Sequence, residues 1–418
     1  MISTDIVIVG GGCVGLTLAL ALAEKNIPVA VIDSQPQQQP LLAEPELRVS
    51  ALSASSQAVF TRLGVWQDML DTRATPYKSM HVWEKDSFGS ITFAAEQIHY
   101  SELGHIVENK VIRNALVNKL AKYDDVATLL FDQTVEQMNV GEREVLVTLS
   151  NGQPVIGQLL VAADGANSFV RQQMQLPLTF WDYEHTAIVA TIKTELPHQH
   201  QAAQCFLPDG PLAFLPLSFA PNASADGEAD NEHYCSIVWS TSPEHAKLLI
   251  DSDDESFNRQ LTTAFDGRLG LCEVVSDRMS FPLKMRYARQ WVKPRVALIG
   301  DAAHTIHPLA GLGMNLGLLD AATLAQTIIA HKNNDKDPGV VAHLRHFERW
   351  RKSEAQTLIA AMEGLKRVFS GTNPVLKLIR STGLSLADNV LPAKHEIIKR
   401  AMGLEGDLPD LAKPLPRQ

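Results

Sequence analysis

The stretch that decides the fold is DIVIVGGGCVGLTLALALAEKNIPVAVID, from Asp5 to Asp33. Its opening, DIVIVG, is a β-branched apolar run that ends in glycine, which is typical of a buried parallel strand. The helical segment VGLTLALALAEKN follows, and PVAVID then forms a second strand. The stretch therefore predicts a βαβ unit of about 30 residues.

Three glycines, Gly10, Gly12 and Gly15, occupy the turn between the first strand and the helix. Their spacing allows a tight turn and lets a pyrophosphate approach the helix N-terminus closely. Asp33, at the end of the second strand, can accept hydrogen bonds from an adenosine ribose. The turn predicts a bound dinucleotide without distinguishing NAD from FAD. Cys13, inside the turn, is interpreted as a small apolar filler rather than a reactive thiol.

The composition is that of a globular protein with more than one domain. At 418 residues the chain exceeds what one core usually serves, so two domains are expected. A formal charge of -10 excludes a general nucleic-acid binder, which needs a basic surface. The four cysteines form no CxxC pair, which argues against a zinc or disulfide framework and fits a reducing cytoplasm. The uncharged run 6–23 is interpreted as strand, turn and helix rather than a membrane span, because it contains three consecutive glycines.

Two further turns follow apolar strands in the chain. The first, ADGANSFVR (163–171), contains Asp164 and is also compatible with an ordinary Asp-Gly turn. The second, VALIGDAAHTIHPLAGLGMNLGLLDAA (296–322), has a strand that ends at Asp301 and a glycine-rich entry to a helix. There, backbone N–H groups can meet a planar acceptor, and Asp301 can hold a chain of hydroxyls. A ribityl chain followed by an isoalloxazine ring fits both requirements, so the predicted dinucleotide is FAD.

Together the three motifs, in this order and spacing, resemble the group A FAD-dependent aromatic monooxygenases, from about Thr4 to Glu354. Several stretches are similar to the ubiquinone-biosynthesis hydroxylases, in particular to those that act on 2-polyprenylphenols at ring position C5. These stretches are LRVSALSASSQAVFTRLGVW (47–66), HIVENKVIRNAL (105–116), PLTFWDYEHTAIVATI (177–192) and RYARQWVKPRVALIGDAAHTIHPLAG (286–311).

The resemblance implies an α/β fold with a Rossmann-like FAD-binding domain, a mainly antiparallel β-sheet substrate domain and a helical C-terminus. The FAD-binding domain is expected at 1–75, 101–175 and 280–354, and the substrate domain at 76–100 and 176–279. The C-terminal helical region is expected at 355–418. Short alternating runs between Leu176 and Met279 favour antiparallel strands with one solvated face. Their apolar face is expected to cover the flavin ring.

The resemblance also implies cofactor contacts at the positions that match the family's motifs. At the adenosine and phosphate end they are Gly10, Gly12 and Gly15 for the pyrophosphate, Asp33 for the ribose and Arg48 for the phosphates. At the flavin end they are Arg113, Asp164, Asp301 for the ribityl chain, and Gly313, Met314 and Asn315 around the pyrimidine edge. As catalytic contacts beside the reacting flavin face, it implies His304 and Pro308. Leu312 replaces the family's usual glutamine between Gly311 and Gly313, which removes one side-chain contact near the flavin.

The implied reaction is hydroxylation of the aromatic ring of a polyprenylated phenol in ubiquinone biosynthesis. NAD(P)H would reduce the flavin, O2 would add at its C4a position, and the outer oxygen of that hydroperoxide would attack the phenol ring. No metal is expected, because His304 and His307 have ligand-like spacing but no nearby third ligand. Two alternatives stay open: a flavin-dependent reductase or dehydrogenase on an isoprenoid, and a non-catalytic scaffold of a quinone-synthesis complex. The motifs do not encode the ring position, the tail length, the choice of NADH or NADPH, or a general base.

The C-terminal region carries an excess of positive charge. Between 342 and 404 there are eleven lysines and arginines against five acids. We expect a cytoplasmic protein. Because a polyprenyl substrate resides in the membrane, two alternatives are open for the contacts of its C-terminal region. It either contacts the inner face of the membrane or packs on the FAD domain or a partner subunit. In the membrane alternative, lipid would meet Leu376 and Ile379, and anionic head groups would meet Lys377, Arg380, Lys399 and Arg400.

Overall fold

A computed structural model describes residues 1–42, 44–218, 232–306, 312–369, 377, 380–383, 388 and 390–415. Several residues named above lie outside the described residues: His307, Pro308 and Gly311 before the last glycine-rich helix, and Leu376 and Ile379 near the C-terminus.

The described chain alternates strands and helices up to about residue 130 and is richer in strands beyond it. The strands are β1 (Ile2–Ser3), β2 (Ile6–Val9), β3 (Val29–Ile32), β4 (Val49–Ser53), β5 (Ala74–Tyr77), β6 (Ser79–Glu84), β7 (Ser90–Ala94), β8 (Gly104–Glu108), β9 (Ala127–Leu130), β10 (Val135–Val140), β11 (Val145–Leu149), β12 (Pro154–Gly157), β13 (Leu159–Ala162), β14 (Leu178–Thr194), β15 (Gln201–Leu207), β16 (Gly210–Leu217), β17 (Tyr234–Thr241), β18 (Cys272–Val274), β19 (Met279–Ala288), β20 (Val292–Lys293), β21 (Val296–Leu298) and β22 (His304–Thr305). The α-helices are α1 (Cys13–Ala23), α2 (Ala54–Arg62), α3 (Trp66–Thr72), α4 (Asn109–Leu120), α5 (Phe169–Gln173), α6 (Pro243–Asp251), α7 (Asp254–Ala264), α8 (Leu312–Lys332), α9 (Val341–Phe369) and α10 (Leu391–Ala401).

A six-stranded sheet forms the centre of the nucleotide-binding unit, with strand order β20-β21-β13-β2-β3-β9. All pairings are parallel except that of β20 with β21. Every residue of β2, β3, β13 and β21 is buried, which explains their continuous apolar sequences. Helix α1 leads from β2 to β3 and packs against α4 and α8. The predicted βαβ unit is therefore confirmed, and the carboxyl ends of β2, β13 and β21 share one edge.

A nine-stranded sheet forms the second unit, with order β22-β19-β14-β17-β16-β15-β6-β7 and β18 on β14. Its pairings are antiparallel apart from β15 with β6, so the predicted mainly antiparallel sheet is confirmed. The sheet extends through β19 to Ala288, beyond the expected limit at 279. One face buries a core under α6 and α7 that includes Phe214, Trp239, Phe257 and Phe265.

Two smaller sheets complete the fold, with orders β4-β8-β5 and β1-β12-β11-β10. The three-stranded sheet lies against β16 through β5 and β8. It therefore joins the nucleotide-binding unit to the nine-stranded sheet.

The described part of the C-terminal region packs on the protein. Ile398 of α10 and Met402, the residue after this helix, are buried in a cluster with Ala95, Ile98 and Leu103. The structure therefore supports the packing alternative for α10. None of the described helices is both long and apolar enough to cross a membrane.

Arg380 is a correction to the membrane alternative. Its Nη2 lies 2.5 Å from Glu84 Oε1, and the two side chains are only 5% and 7% exposed. A buried guanidinium is tolerated because the carboxylate compensates the loss of water. The expectation that Arg380 faces lipid head groups is therefore wrong. Lys399 and Arg400 are more exposed, but they pair with Glu405 and Glu396.

Candidate active site

The glycine turn after β2 has two residues that pack and one that is open. A Cβ on Gly10, where φ is +111°, would lie 2.2 Å from the Ala163 carbonyl oxygen. A Cβ on Gly15 would lie 2.0 Å from the Gly10 carbonyl oxygen. A Cβ on Gly12 would meet nothing within 4 Å, and Gly12 is exposed at the start of α1 without a side-chain cap. The open position therefore lies where the first N–H groups of a buried apolar helix are unsatisfied.

Asp33 braces this turn from the end of β3. Its Oδ2 accepts a hydrogen bond from the Gly11 N–H, and its Oδ1 accepts one of 2.7 Å from the Gln35 N–H. Each carboxylate oxygen can accept a second bond. Asp33 therefore keeps acceptor capacity for a ribose while it holds the turn.

Arg113 supports the same turn from α4. It donates to the carbonyls of Gly11 (3.0 Å), Gln37 (2.9 Å) and Pro36 (2.8 Å), and it is 5% exposed. Because these carbonyls occupy its guanidinium, the geometry favours a positioning role over the expected contact with the flavin.

The buried Cys13 thiol does not point to reactivity. Its Sγ lies 3.5 Å from the Asn109 carbonyl oxygen. Burial raises the pKa of Cys13 to about 12, so the thiolate is disfavoured at neutral pH. This agrees with its interpretation as a filler.

The turn after β13 contains Asp164, whose two carboxylate oxygens differ in their hydrogen bonding. Asp164 Oδ2 accepts from the Val170 N–H at 3.2 Å, whereas Oδ1 is buried without a hydrogen-bond partner among the described residues. Burial raises the pKa of Asp164 above its usual value. An unpaired buried carboxylate oxygen is costly, so this atom is suited to a donor that a ligand would supply.

Asp301 lies at the edge of the central sheet, in a 3-10 turn from Gly300 to Ala302 that follows β21. The residue as a whole is exposed, and its carboxylate makes no ion pair or hydrogen bond with another described side chain. Protein atoms nevertheless surround the group, and this burial raises its pKa despite the nearby His304 and Arg286. Asp301 therefore offers free acceptors at the edge where ligands bind in such sheets.

The first turn of α8 contributes Gly313, Met314 and Asn315. The Asn315 side chain is buried and accepts from the Ser53 N–H (2.9 Å) and from Ser56 Oγ (2.7 Å). It also donates to the Ala51 carbonyl at 2.8 Å. Asn315 thus ties α8 to β4 and α2, which leaves the backbone of this turn as the part available to a ligand.

His304 stays a predicted catalytic contact, although its side chain lies inside the protein. Its imidazole is 1% exposed, its Nε2 lies 2.5 Å from Asp320 Oδ2, and its ring lies 5.0 Å from that of Trp291. A side chain so enclosed does not line an accessible surface, so the burial does not support the expected catalytic contact. Pro308, the other expected catalytic residue, lies outside the described residues.

An apolar cavity of about 270 Å³ lies between β4, β8 and the nine-stranded sheet. Its lining includes Ala51, Ile106, Val189 and Leu215, together with the exposed Arg48. Its volume is near the lower end for small-molecule pockets, and its apolar lining with few polar groups is typical of them. Arg48 therefore places a cation at the border of an apolar cavity.

Tyr77 is one of the residues that line the cavity. Burial raises the pKa of the Tyr77 phenol to about 12, so the group stays protonated at neutral pH. A protonated phenol is a hydrogen-bond donor.

Sequence reasoning missed Asp320 and Arg351. Both are buried, and Arg351 Nε donates to Asp320 Oδ1 at 2.8 Å. The available signal was a single acid inside the apolar helix sequence LGMNLGLLDAATLAQTIIA, since a lone charge among apolar residues is usually buried and paired.

Comparisons with known proteins agree with this geometry. Residues 3–360 match the family described as FAD binding domain. The crystal structure of p-nitrophenol 4-monooxygenase PnpA from Pseudomonas putida shares the fold, with a TM-score of 0.76 and 20% identity over 96% of this chain and 99% of that one. The chain thus belongs to the FAD-binding-domain family, and its fold is that of a known monooxygenase.

Three relatives narrow the class. The ubiquinone hydroxylase UbiL of Rhodospirillum rubrum is 35% identical, covering 96% of this chain and 89% of its own. The mitochondrial ubiquinone biosynthesis monooxygenase COQ6 of Danio rerio is 33% identical (94% and 88%), and the 3-demethoxyubiquinol 3-hydroxylase of Escherichia coli is 32% identical (96% and 99%). The chain belongs to the ubiquinone-biosynthesis family of FAD-dependent hydroxylases.

Proposed function

We propose that this protein hydroxylates the aromatic ring of a polyprenylated phenol in ubiquinone biosynthesis, with FAD as cofactor and NAD(P)H as transient electron donor. The observation that carries the proposal is the position of the apolar cavity. Ala51 lines the cavity, and its carbonyl accepts the 2.8 Å hydrogen bond from Asn315 in the first turn of α8. An aromatic ring in the cavity would therefore lie beside the turn that we assign to the flavin.

FAD fits the residues that are present. Gly12 leaves open space at the start of α1, and Asp164 Oδ1 is a buried acceptor without a described partner. Asp301 offers a second unpaired carboxylate at the same sheet edge. We assign direct contacts to Gly12, Asp33, Arg48, Asp164, Asp301, Gly313 and Met314, and positioning roles to Gly10, Gly15, Arg113 and Asn315.

When bound and reduced by NAD(P)H, the flavin would supply two electrons to O2, so that one oxygen atom would enter the ring and the other would leave as water. The residues of the chain bind the ring, orient it and exclude water. The apolar lining of Ile106, Val189 and Leu215 keeps the ring dry, and water in this space would favour release of hydrogen peroxide. The protonated Tyr77 hydroxyl can donate a hydrogen bond to the phenol oxygen and so orient the ring.

The relatives named for ubiquinone biosynthesis support the substrate class. They include a 3-demethoxyubiquinol 3-hydroxylase as well as a ubiquinone hydroxylase. The ring position C5 therefore stays a prediction, and product analysis decides it.

The test is turnover of a short-tailed 2-prenylphenol by the purified flavoprotein under ¹⁸O2. We expect one ¹⁸O atom in the ring of the product and consumption of NADH or NADPH. Flavin reduction without oxygen incorporation would indicate a reductase or dehydrogenase, and a protein that binds no flavin would be a scaffold.

A cavity variant links the product to the proposed site. Ala213 lines the cavity, and Ala213→Phe would fill part of it. We expect a higher KM for the phenol and more hydrogen peroxide per NAD(P)H, because overfilling a packed site displaces the substrate. The affinity for FAD should not change, and an unchanged KM would move the substrate out of this cavity.

A further inference from the structure

A buried acid in α8 holds the turn that carries Asp301. Asp320 is 0% exposed, and its Oδ2 accepts from the Gly300 N–H at 3.0 Å and lies 2.5 Å from His304 Nε2. Its Oδ1 accepts from Arg351 Nε at 2.8 Å. Burial by itself raises the pKa of Asp320, but His304 and Arg351 outweigh it and the pKa lies below its usual range. The group is therefore a buried carboxylate.

The turn from Gly300 to Ala302 is held at both ends. Asp320 binds the N–H of Gly300, and Arg171 donates to the carbonyl of Ala302 at 2.8 Å. Gly300 has a φ of +58°, and a Cβ there would lie 3.3 Å from the Val14 side chain. Asp301 lies between these two anchors, so its direction depends on both.

Packing alone does not account for a carboxylate at this position. A buried ion pair is a weak source of stability, and apolar side chains of similar volume often replace one without loss. Its two charged oxygens instead accept from the Gly300 N–H and from Arg351 Nε at once, and such charge-assisted hydrogen bonds are strong and directional.

We propose that Asp320 is a positioning residue for the cofactor, which acts through the Gly300 N–H to direct the Asp301 carboxylate toward the ribityl chain. The inference rests on the proposed role of Asp301 in holding FAD. Arg351, from α9, keeps Asp320 charged and oriented. Helix α9 is thereby coupled to the cofactor site through Arg351, a side chain that is itself buried inside the protein.

A double-mutant cycle on FAD affinity tests this. Asp320→Asn keeps the size of the side chain, and we expect it to raise the Kd for FAD about tenfold, within the range for directly coupled neighbours. In an Asp301→Ala background the same change should raise the Kd by less than about twofold, since no carboxylate is left to direct. Kd is measured by titrating the apoprotein and following flavin fluorescence.

Hydrogen exchange provides a readout that needs no cofactor. In the apoprotein of Asp320→Asn, we expect the peptide that spans Gly300–Ala302 to exchange faster, because its N–H anchor is weakened. Asp337→Asn is the matched control: it breaks another arginine–aspartate pair, with Arg295, at the opposite end of β21. It should change neither the exchange of this peptide nor the Kd for FAD. If Asp320→Asn does not fold, Arg351→Lys keeps the charge and should give a smaller change in the same direction.

Equal loss of affinity in both backgrounds, or unchanged exchange in the Gly300–Ala302 peptide, would show that Asp320 only supports packing and would overturn the inference. A protein that binds FAD and shows the expected cycle, but does not hydroxylate a phenol, would overturn only the proposed function.

Discussion

The Nη1 of Arg171 donates a 2.8 Å hydrogen bond to the carbonyl of Ala302, 131 residues further along the chain. The Nη2 of the same guanidinium donates to the Ala166 carbonyl at 2.7 Å. Arg171 is 5% exposed and therefore joins the turn of Asp164 to the turn of Asp301 inside the protein. This side chain therefore links the two turns that we assign to one cofactor, in addition to the pairing of β13 with β21.

We predict that Arg171→Gln lowers the free energy of unfolding by about 1.5–3 kcal/mol, because hydrogen bonds to a charged group are lost and two buried carbonyls lose their donor. The Kd for FAD should rise as well, since the side-chain link between the two turns is lost. Urea denaturation and flavin titration measure the two effects. Arg143→Gln, at an exposed position, is the control. Loss of stability with unchanged FAD affinity would restrict Arg171 to a structural role.

The parts of the fold with local signatures could be predicted from the sequence. Strand β2, helix α1 and strand β3 follow directly from a run of buried apolar residues, a glycine turn and the next such run. The antiparallel sheet followed from its alternating runs, but its extension through β19 did not. That pairing with β14 joins segments about 100 residues apart, and no local pattern encodes it.

The motifs of the candidate site could be predicted from the sequence, but the directions in which their side chains point could not. The glycines, Asp33 and Asp301 lie at one sheet edge, because the ends of parallel strands must meet there. His304 follows the same motif, yet its side chain turns inward to Asp320, a choice made by a partner on α8. Arg113 likewise bonds to three carbonyls of distant loops. Motif spacing places a residue along the chain, whereas long-range packing decides where its side chain points.

The buried His198 is expected to make the folded protein less stable as the pH falls. It is 3% exposed, its Nε2 lies 3.2 Å from the Leu217 carbonyl, and its Nδ1 accepts from the His200 N–H. Both contacts suit the neutral imidazole, and burial lowers the pKa of His198 from 6.5 to about 4. The unfolded chain therefore binds a proton that the folded protein does not, and stability is lost as pH falls from 6.5 through 4. The loss from this group is about 3 kcal/mol.

The test is the urea midpoint measured between pH 7.5 and 4.5. His198→Gln keeps a hydrogen-bond donor but does not titrate, so its stability should fall less steeply with pH than that of the unaltered protein. The exposed His346, changed to Gln, is the control. Parallel pH profiles for His198→Gln and the unaltered protein would contradict the prediction.

Breaking the buried pair of Arg380 and Glu84, which is not among the residues of the candidate site, is expected to have a large effect on stability. Breaking one partner of a buried ion pair leaves an uncompensated charge, so Arg380→Gln should lower the free energy of unfolding by about 3–5 kcal/mol. Changing both Arg380 and Glu84 to Gln should recover part of this loss. Arg400→Gln, with a largely exposed side chain, should change it by less than about 0.5 kcal/mol. If Arg380→Gln changed the free energy of unfolding as little as Arg400→Gln does, the burial of the pair would be contradicted. A vesicle-binding test of the C-terminal charges must leave Arg380 intact, because its removal would destabilise the protein.

A substitution at Gly12 is expected to weaken FAD binding without destabilising the folded apoprotein. The φ of -78° at Gly12 suits any residue, and a Cβ there would meet nothing within 4 Å in the protein. Gly12→Ala should therefore change the free energy of unfolding of the apoprotein by less than about 1 kcal/mol, a range typical of residues at a helix start. If the pyrophosphate lies against this turn, the added methyl group occupies its space. The Kd for FAD should then rise by about tenfold or more, as overpacking costs about 1–3 kcal/mol.

Two further glycine variants serve as comparisons for Gly12→Ala. Gly15→Ala would place a Cβ 2.0 Å from the Gly10 carbonyl oxygen, so it should destabilise the apoprotein itself and lose FAD as a consequence. Gly364→Ala, in α9, has open space around the added methyl group and should leave FAD affinity unchanged. Thermal unfolding of each apoprotein and flavin titration distinguish the three variants. An unchanged Kd in a folded Gly12→Ala protein would mean that the pyrophosphate does not lie on the turn at the start of α1.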